Sequence, residues 1–419
     1  MINSAAQIAD NVLGKRPVRQ VSTEGDKEES VEMRAVTWQG ARKVGCSMVP
    51  KPRITHPADV IVRITACTIC SGSDLHLYNG EIPGIDAGFV LGHEGMGIIE
   101  QKGEAVKNFN VGDRVVIAFD IACGDCDACR RQEFTGCRET NNSILAEKVL
   151  GHCPAAIFGY SRLLGNVPGS QAEFTRVPFA DVNCCKIPDE IPDEKALLMS
   201  DVACTSLHAT ELGEVKEGDT VVIWGLGPIG LCAAKWCKIK GAQRIIGIDL
   251  VEARLELAET YLGIETLNRT GISTEEVVNT LLSIIPGGAD VCIEAVGFRF
   301  ELSFLHKAQR AVGMATDTPE ILTECFKVAR PFGRISIIGD YVGLANHFPI
   351  GMITMKHLTI RSGQCPCQKY FPYVLEKIRD GTFDPSFVIT HRINLQGIPS
   401  AYGKLDKKTD GIIKVFARP

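Results

Sequence analysis

The chain has 419 residues, enough for two domains that each bury a core of their own. A formal charge of −5 without a basic stripe argues against nucleic acid as a partner. No apolar run approaches the roughly 20 residues needed to cross a bilayer and no apolar signal core opens the chain, so a soluble, cytoplasmic protein that does not engage membranes is expected.

Residues 1 to 33 are polar and mixed in charge, with the run Glu24 to Ser30 near their end, and read as a disordered tail. From Arg34 to about Phe179 the pattern changes to short β-rich runs: Ala35 to Trp38, Asp59 to Ala66, Gly95 to Glu100, Arg114 to Phe119 and Ala172 to Val177. Gly and Pro separate them, as in a small irregular β-barrel. Most of the Cys, His and acidic residues fall in the intervening loops, where chemistry usually sits. Pro192 to Leu212 then reads as helical.

The apolar run Val221 to Trp224 predicts a buried parallel strand, broken by Gly225, Gly227 and Gly230 in G-x-G-x-x-G spacing, with Pro228 and Ile229 between the last two. Such glycines make a tight turn, let backbone approach a pyrophosphate, and let the following helix, predicted over Leu231 to Lys240, pack close to the strand. A second strand, Arg244 to Ile248, ends in Asp249, where a carboxylate can hold ribose hydroxyls and repel a 2′-phosphate. A glycine triplet alone also serves plain turns. Strand, helix, second strand and acid in this order point to a dinucleotide, and to NAD over NADP. The alternation continues through a helix at Glu252 to Leu262, a strand at Asp290 to Val296, a helix around Pro319 to Ala329 and a strand at Arg334 to Gly339. The class is therefore α/β with a doubly wound parallel sheet. Beyond Arg361 lie a helix near Tyr370 to Asp380 and strand-like ends at Phe387 to His391 and Gly411 to Phe416.

Seventeen cysteines in a chain without a secretion signal argue for metal ligation more than for disulfides. Cys123, Cys126, Cys129 and Cys137 stand in C-x2-C-x2-C-x7-C spacing, so four close thiolates can wrap one tetrahedral Zn²⁺ and leave no open position. A ferredoxin-type run would bring the fourth cysteine nearer and follow it with proline. Cys46, Cys184, Cys185, Cys232, Cys237, Cys292 and Cys325 read as small packed apolar residues. Cys365 and Cys367, flanking Pro366, carry no assigned chemistry.

Three further motifs offer ligands for a second metal: CTICSGSDLH (Cys67 to His76), LGHEGMG (Leu91 to Gly97) and MSDVACTSLH (Met199 to His208). A lone His93 is ordinarily a packed histidine, but Gly92 and Glu94 beside it make it a candidate ligand with an acidic neighbour. With these motifs the chain resembles the zinc-dependent medium-chain alcohol dehydrogenases. Among them it is most similar to the glutathione-independent formaldehyde dehydrogenase group and its fungal alcohol dehydrogenase relatives. The resemblance runs from about Arg34 to the C-terminus, on the Cys loop, GHE at Gly92 to Glu94, the four-cysteine lobe, GLGPIG at Gly225 to Gly230, and S-D followed by T-x-x-H at Ser200 to His208. It implies a GroES-like β-barrel catalytic domain interrupted by a Rossmann domain. The boundaries expected are a tail over 1–33, a catalytic domain over 34–201, a Rossmann domain over 202–361 and a return to the catalytic domain over 362–419. It also implies a catalytic zinc held by Cys70, His93 and Asp201, with Glu94 behind the metal, proton transfer outward through Ser73 and His76, bound NAD, and a homo-oligomer, dimer or tetramer. Apart from the resemblance, Ser73 reads as a turn cap and His76 as a solvated loop residue. Asn141 to Gln171 corresponds to a long insertion that covers the cofactor in this group, or else is an ordinary surface loop.

Two departures disturb the pattern. Relatives read C-G-S-D-x-H, whereas Ser71 stands here as an added residue between Cys70 and Gly72, so counting back from Ser73 puts the ligand position on Ser71. Cys70 then reaches the metal only if the loop bulges. Cys204 stands where relatives often have proline and is a competing ligand. The expected function is zinc-dependent hydride transfer between a small alcohol or aldehyde and NAD. The alternatives are a non-catalytic NAD-binding protein that keeps only the structural zinc, and an aldehyde dismutase that holds NAD between half-reactions. Phe158, Tyr160 and Phe174 either line a substrate pocket or fill the barrel.

Overall fold

The computed structural model describes residues 14–19, 27–297, 318–341, 343 and 345–419, with backbone alone for 27–30. The chain divides into two compact units, Met1–Cys204 with Cys365–Pro419, and Thr205–Gln364.

In the first unit, β1 (Lys27–Gly40) and β2 (Lys43–Pro52) form an antiparallel hairpin. They are followed by β3 (Val60–Cys67), β4 (Gly95–Lys102), β5 (Arg114–Ile117), β6 (Asp120–Ile121), β7 (Ala156–Ile157), β8 (Phe174–Val177) and β9 (Cys184–Lys186). The second unit holds β10 (Thr220–Trp224), β11 (Arg244–Asp249), β12 (Glu265–Asn268), β13 (Ala289–Glu294), β14 (Ala329–Ile337) and β15 (Thr359–Ser362). The chain then returns to the first unit with β16 (Ile389–Asn394) and β17 (Lys414–Arg418). There the described sheet runs β16-β17-β3-β4-β5-β9, with β8 also on β3. The last strand therefore lies beside β3, pairing Ala417 with Cys67, the residue that opens the first ligand motif. Val60, Val62, Ile64, Val115, Ile117 and Val415 share one core, which fixes the loops at the sheet ends.

In the second unit the described sheet is parallel throughout, in the order β12-β11-β10-β13-β14-β15. The order reverses between β10 and β13, which is where such sheets open a crevice at their carboxyl ends. Val222, Trp224, Ile246, Cys292 and Ile335 supply its core with Phe326 from the helix Glu320–Val328. Strands buried on both faces explain why their sequences read as continuous apolar runs.

Several expectations change. Lys15 bridges Ser143, the Arg16 N–H donates to Asn142 O, and Arg19 pairs with Asp125 at 2.7 Å, so 14–19 lie along the cysteine lobe. Polar composition predicts disorder only where the chain finds no fixed partner, and here backbone pairing supplies one. β1 likewise begins at Lys27, before Arg34. Residues 1–13 and 20–26 of the predicted tail lie outside the described residues. Cys46 is exposed instead of packed, its Sγ donating to Leu395 O. On the two-residue period of β2 it falls on an outward face. In the segment Asn141 to Gln171, the helix Ile144–Leu150 is capped by Ser143 Oγ, while Phe158 and Tyr160 enter the main core of the first unit. Those two aromatics therefore pack the barrel, and Phe174 is half-buried with Lys51 Nζ 3.8 Å from its ring centre. The sequence also hid β2 and the helix Ile398–Lys407, because Gly45, Pro50, Pro399 and Gly403 interrupt them.

Two candidate metal centres and a glycine loop

The four lobe cysteines converge. Cys126 Sγ lies 3.5 Å from Cys129 Sγ and 3.9 Å from Cys137 Sγ, and Cys123 Sγ is 3.9 Å from Cys129 Sγ. A tetrahedral zinc with Zn–S near 2.3 Å sets sulfurs about 3.8 Å apart, so these residues fit that ion closely. The spacing achieves this because the short helix Asp127–Arg130 puts Cys126 and Cys129 at its start and first turn, while the 3-10 turn Phe134–Gly136 brings Cys137 back. Backbone N–H groups of Asp125 and Cys126 point at Cys123 Sγ, at 3.5 and 3.4 Å. Hydrogen bonds from its neighbouring cysteines and from these amides hold the Cys123 thiol well below the usual thiol range, while sharing those bonds with Cys123 raises Cys129 and Cys137, so the four thiols compete for one negative charge until a cation joins them.

The second group draws on three distant segments. Ligand atoms of Cys70, His93, Glu94 and Asp201 all lie within 4.8 Å of one another. His93 and Glu94 precede β4, and Cys70 follows β3, the strand paired with β4, so sheet register alone brings these loops together. Asp201 sits at a break, φ −151° and ψ −73°, between the 3-10 turn Leu197–Ser200 and the helix Val202–Leu212. That break interrupts the helical stretch predicted over Pro192 to Leu212 and brings the carboxylate to 3.6 Å from His93 Nε2. The added Ser71 is taken up in the turn ahead of the helix Ser73–Tyr78, leaving Cys70 in the cluster. Cys204 is not among the clustered atoms, and its Sγ donates to Met199 O at 3.1 Å. His93 Nδ1 faces Asp74 Oδ1 at 3.2 Å, which turns Nε2 toward the Asp201 carboxylate, while Glu94 Oε2 is buried without a hydrogen-bond partner, as in a donor set that fits a cation. Burial works against a charge on His93, but Asp74 and Asp201 outweigh it and push the imidazole well above its usual value.

In the second unit, β10 runs into the helix Pro228–Ile239, which begins three residues before the predicted Leu231, with Gly227 as its cap and Pro228 as its first residue. Gly225 adopts φ +88°, and a Cβ on Gly230 would lie 1.8 Å from Gly225 O. Turn and close packing thus each demand glycine. A Cβ on Gly227 would meet nothing closer than Arg254 Nη1 at 3.9 Å, so backbone is bare on that side, next to Ile229 at the helix start. Asp249 ends β11, its Oδ2 accepting from the Leu226 N–H at 2.7 Å and Oδ1 from the Leu250 and Val251 N–H groups. Beyond its predicted place at a ribose, this carboxylate ties the glycine loop to the neighbouring strand.

The chain matches the alcohol dehydrogenase GroES-like domain over residues 56–189 and the zinc-binding dehydrogenase family over residues 228–318. It is 53% identical over 417 residues to a zinc-type alcohol dehydrogenase-like protein of Schizosaccharomyces pombe, covering 99% of this chain and 98% of that one. The chain belongs to the zinc-type alcohol dehydrogenases. This dehydrogenase is also 30% identical to formaldehyde dismutase of Pseudomonas putida, over 89% of its own length and 95% of the relative's. Among solved structures it resembles the alcohol dehydrogenase TADH from Thermus sp. ATN1, with TM-score 0.77 and 33% identity over 92% of this chain and 99% of that one. The expected fold, a GroES-like unit with a Rossmann sheet, is the family's fold. The protein is an oxidoreductase. No described helix is long and apolar enough to cross a membrane.

Motif reading missed several groups around the second cluster of this alcohol dehydrogenase. Lys414, 1% exposed at the start of β17, places Nζ 2.5 Å from Glu94 Oε1 and 3.1 Å from Ile69 O. Burial would lower its pKa, but the Glu94 carboxylate outweighs that and keeps the ammonium charged. The signal was available, because a lone lysine inside Ile412 to Phe416 breaks an apolar run. His76 is buried on a helix, not solvated on a loop, with Nδ1 2.9 Å from Glu81 Oε2. Ser73 is half-buried at that helix's first position. Asp120, buried beside Gln368 Nε2 at 3.2 Å, has its carboxyl pushed up to about 7 by burial.

Proposed function

We propose that this oxidoreductase moves a hydride between a small alcohol or aldehyde and NAD at the Cys70, His93 and Asp201 cluster, with a second, structural zinc in the four-cysteine lobe. The convergence of those three side chains from distant loops, with Glu94 at their back, carries the reading. Zinc bound by three protein ligands supplies a Lewis-acidic position that favours ionisation of an alcohol near neutral pH, and NAD supplies the hydride acceptor. Asp74, with Oδ1 3.2 Å from His93 Nδ1, faces the ring nitrogen opposite the one toward Asp201 and fixes which nitrogen is offered. Lys414 balances Glu94, so the donor set does not bury an uncompensated negative charge. Ser73 takes the alcohol proton and passes it to His76, whose Nδ1 contact with the partly exposed Glu81 gives the proton a way out.

The bare backbone at Gly227 and the helix N-terminus at Pro228 receive the pyrophosphate, and Asp249, which shares its charge with Arg254 Nη1 at 3.3 Å, stands at the end of β11 where an acid selects NAD over NADP. We assign the protein to the cytoplasm and expect a homo-oligomer, as the family resemblance implies. The test combines metal analysis with a panel of primary alcohols and aldehydes. About two zinc ions per chain and alcohol-dependent NADH formation, with NAD preferred, support the reading. A filled lobe with no turnover on any member of the panel refutes it and leaves a non-catalytic nucleotide binder.

A further inference from the structure

Gln171 closes the segment Asn141 to Gln171, and Tyr402 lies on the helix Ile398–Lys407, far away in sequence. Both are fully buried. Gln171 Nε2 donates to Thr68 O at 3.0 Å and to Asp74 Oδ2 at 3.2 Å, and its Oε1 accepts from the Tyr402 hydroxyl at 3.0 Å. The amide orientation follows from these partners, since a flipped amide would set its oxygen against a carbonyl and a carboxylate. Asp74 Oδ2 also accepts the Cys70 N–H at 3.0 Å, while Oδ1 faces His93. On its other side Gln171 packs against Gly92, where an added Cβ would lie 2.4 Å from Gln171 Cγ at φ +93°. One amide therefore touches the loop carrying Cys70 and the residue preceding His93.

We propose that Gln171 and Tyr402 are positioning residues for the catalytic metal: the Tyr402 hydroxyl fixes the Gln171 amide, the amide fixes the Asp74 carboxylate, and that carboxylate sets Cys70 and His93. The proposal rests on the assignment of that cluster as a metal site. The hydrogen-bond partners of the two side chains are Thr68, Asp74 and each other, so both residues act through the ligands. An outer-shell partner of this kind typically changes metal affinity by about 10–100-fold.

The test uses the full chain with zinc, and with Co²⁺ in its place, whose visible absorption reports ligand geometry. Gln171→Leu keeps the volume and removes the polar contacts. It is expected to weaken zinc at the second site by about 10–100-fold, to shift the cobalt absorption of that site, and to leave the lobe ion unchanged. Tyr402→Phe removes one hydroxyl and is expected to shift the same band in the same direction by less. If Gln171→Leu does not fold, Tyr402→Phe decides alone. Wild-type affinity with an unchanged cobalt spectrum overturns the positioning role while leaving the metal site intact. Wild-type protein that takes up only the lobe ion overturns the metal-site assignment, and the positioning role with it.

Discussion

Replacing Lys414 by methionine should be among the most damaging single changes near the candidate catalytic site, although Lys414 belongs to none of the recognised motifs. Both members of the Lys414–Glu94 pair are 1% exposed, with Nζ 2.5 Å from Oε1. Methionine fills the space but leaves Glu94 buried without its counter-charge, and Ile69 O without its donor. Breaking a buried pair by removing one partner costs about 3–5 kcal/mol. For a unit of this size that corresponds to a melting midpoint lower by about 6–10 °C. Calorimetry on zinc-loaded and chelated protein would measure it, with the larger loss after chelation, because a bound cation beside Glu94 replaces part of the missing charge. Adding Glu94→Gln removes the stranded carboxylate, so Glu94→Gln with Lys414→Met should regain about 2 kcal/mol or more over Lys414→Met alone. A double variant whose loss equals the sum of its singles would show that the two charges do not stabilise one another, and the argument would fail.

Cys137→Ala should lower zinc from about two to about one per chain by metal analysis, since three sulfurs cannot close a tetrahedral site, and should lower the melting midpoint as well. Deleting Ser71 should abolish second-site zinc and turnover together, because the turn that carries Cys70 to His93 uses that residue; a gain of activity would show that the native loop is broken. Burial raises the Glu294 carboxyl from 4.5 to about 7. The folded protein therefore keeps a proton that the unfolded chain has shed, and the stability this group contributes below pH 4.5 is lost as pH rises toward 7. Glu294→Gln should be relatively more stable at pH 8 than at pH 5 by about 2.5 kcal/mol, read from melting curves of both proteins at each pH; parallel curves would rule it out.

Local sequence was enough wherever chemistry depends on short spacing. Four cysteines within fifteen residues close on themselves through one short helix and one turn, and Gly225, Gly230 and Asp249 follow from the backbone demands of a strand–turn–helix. The strands of the second unit were legible because burial on both faces writes continuous apolar runs. The N-terminal segment at 14–19 was not, since pairing with Ser143 and Asp125 depends on a lobe more than a hundred residues away. The same limit applied to Ser71: counting residues moved the ligand position off Cys70, yet a turn takes up the addition at no cost to strand pairing, and only three-dimensional closure shows it. Tertiary structure alone placed Gln171 and Tyr402, and it alone gave partners to Asp74, inside the first ligand motif, and to Lys414, a lone charge in an apolar run. Each gains its role by burial, because in a site closed to water every charge and amide must find its partner in the protein, wherever along the chain that partner lies.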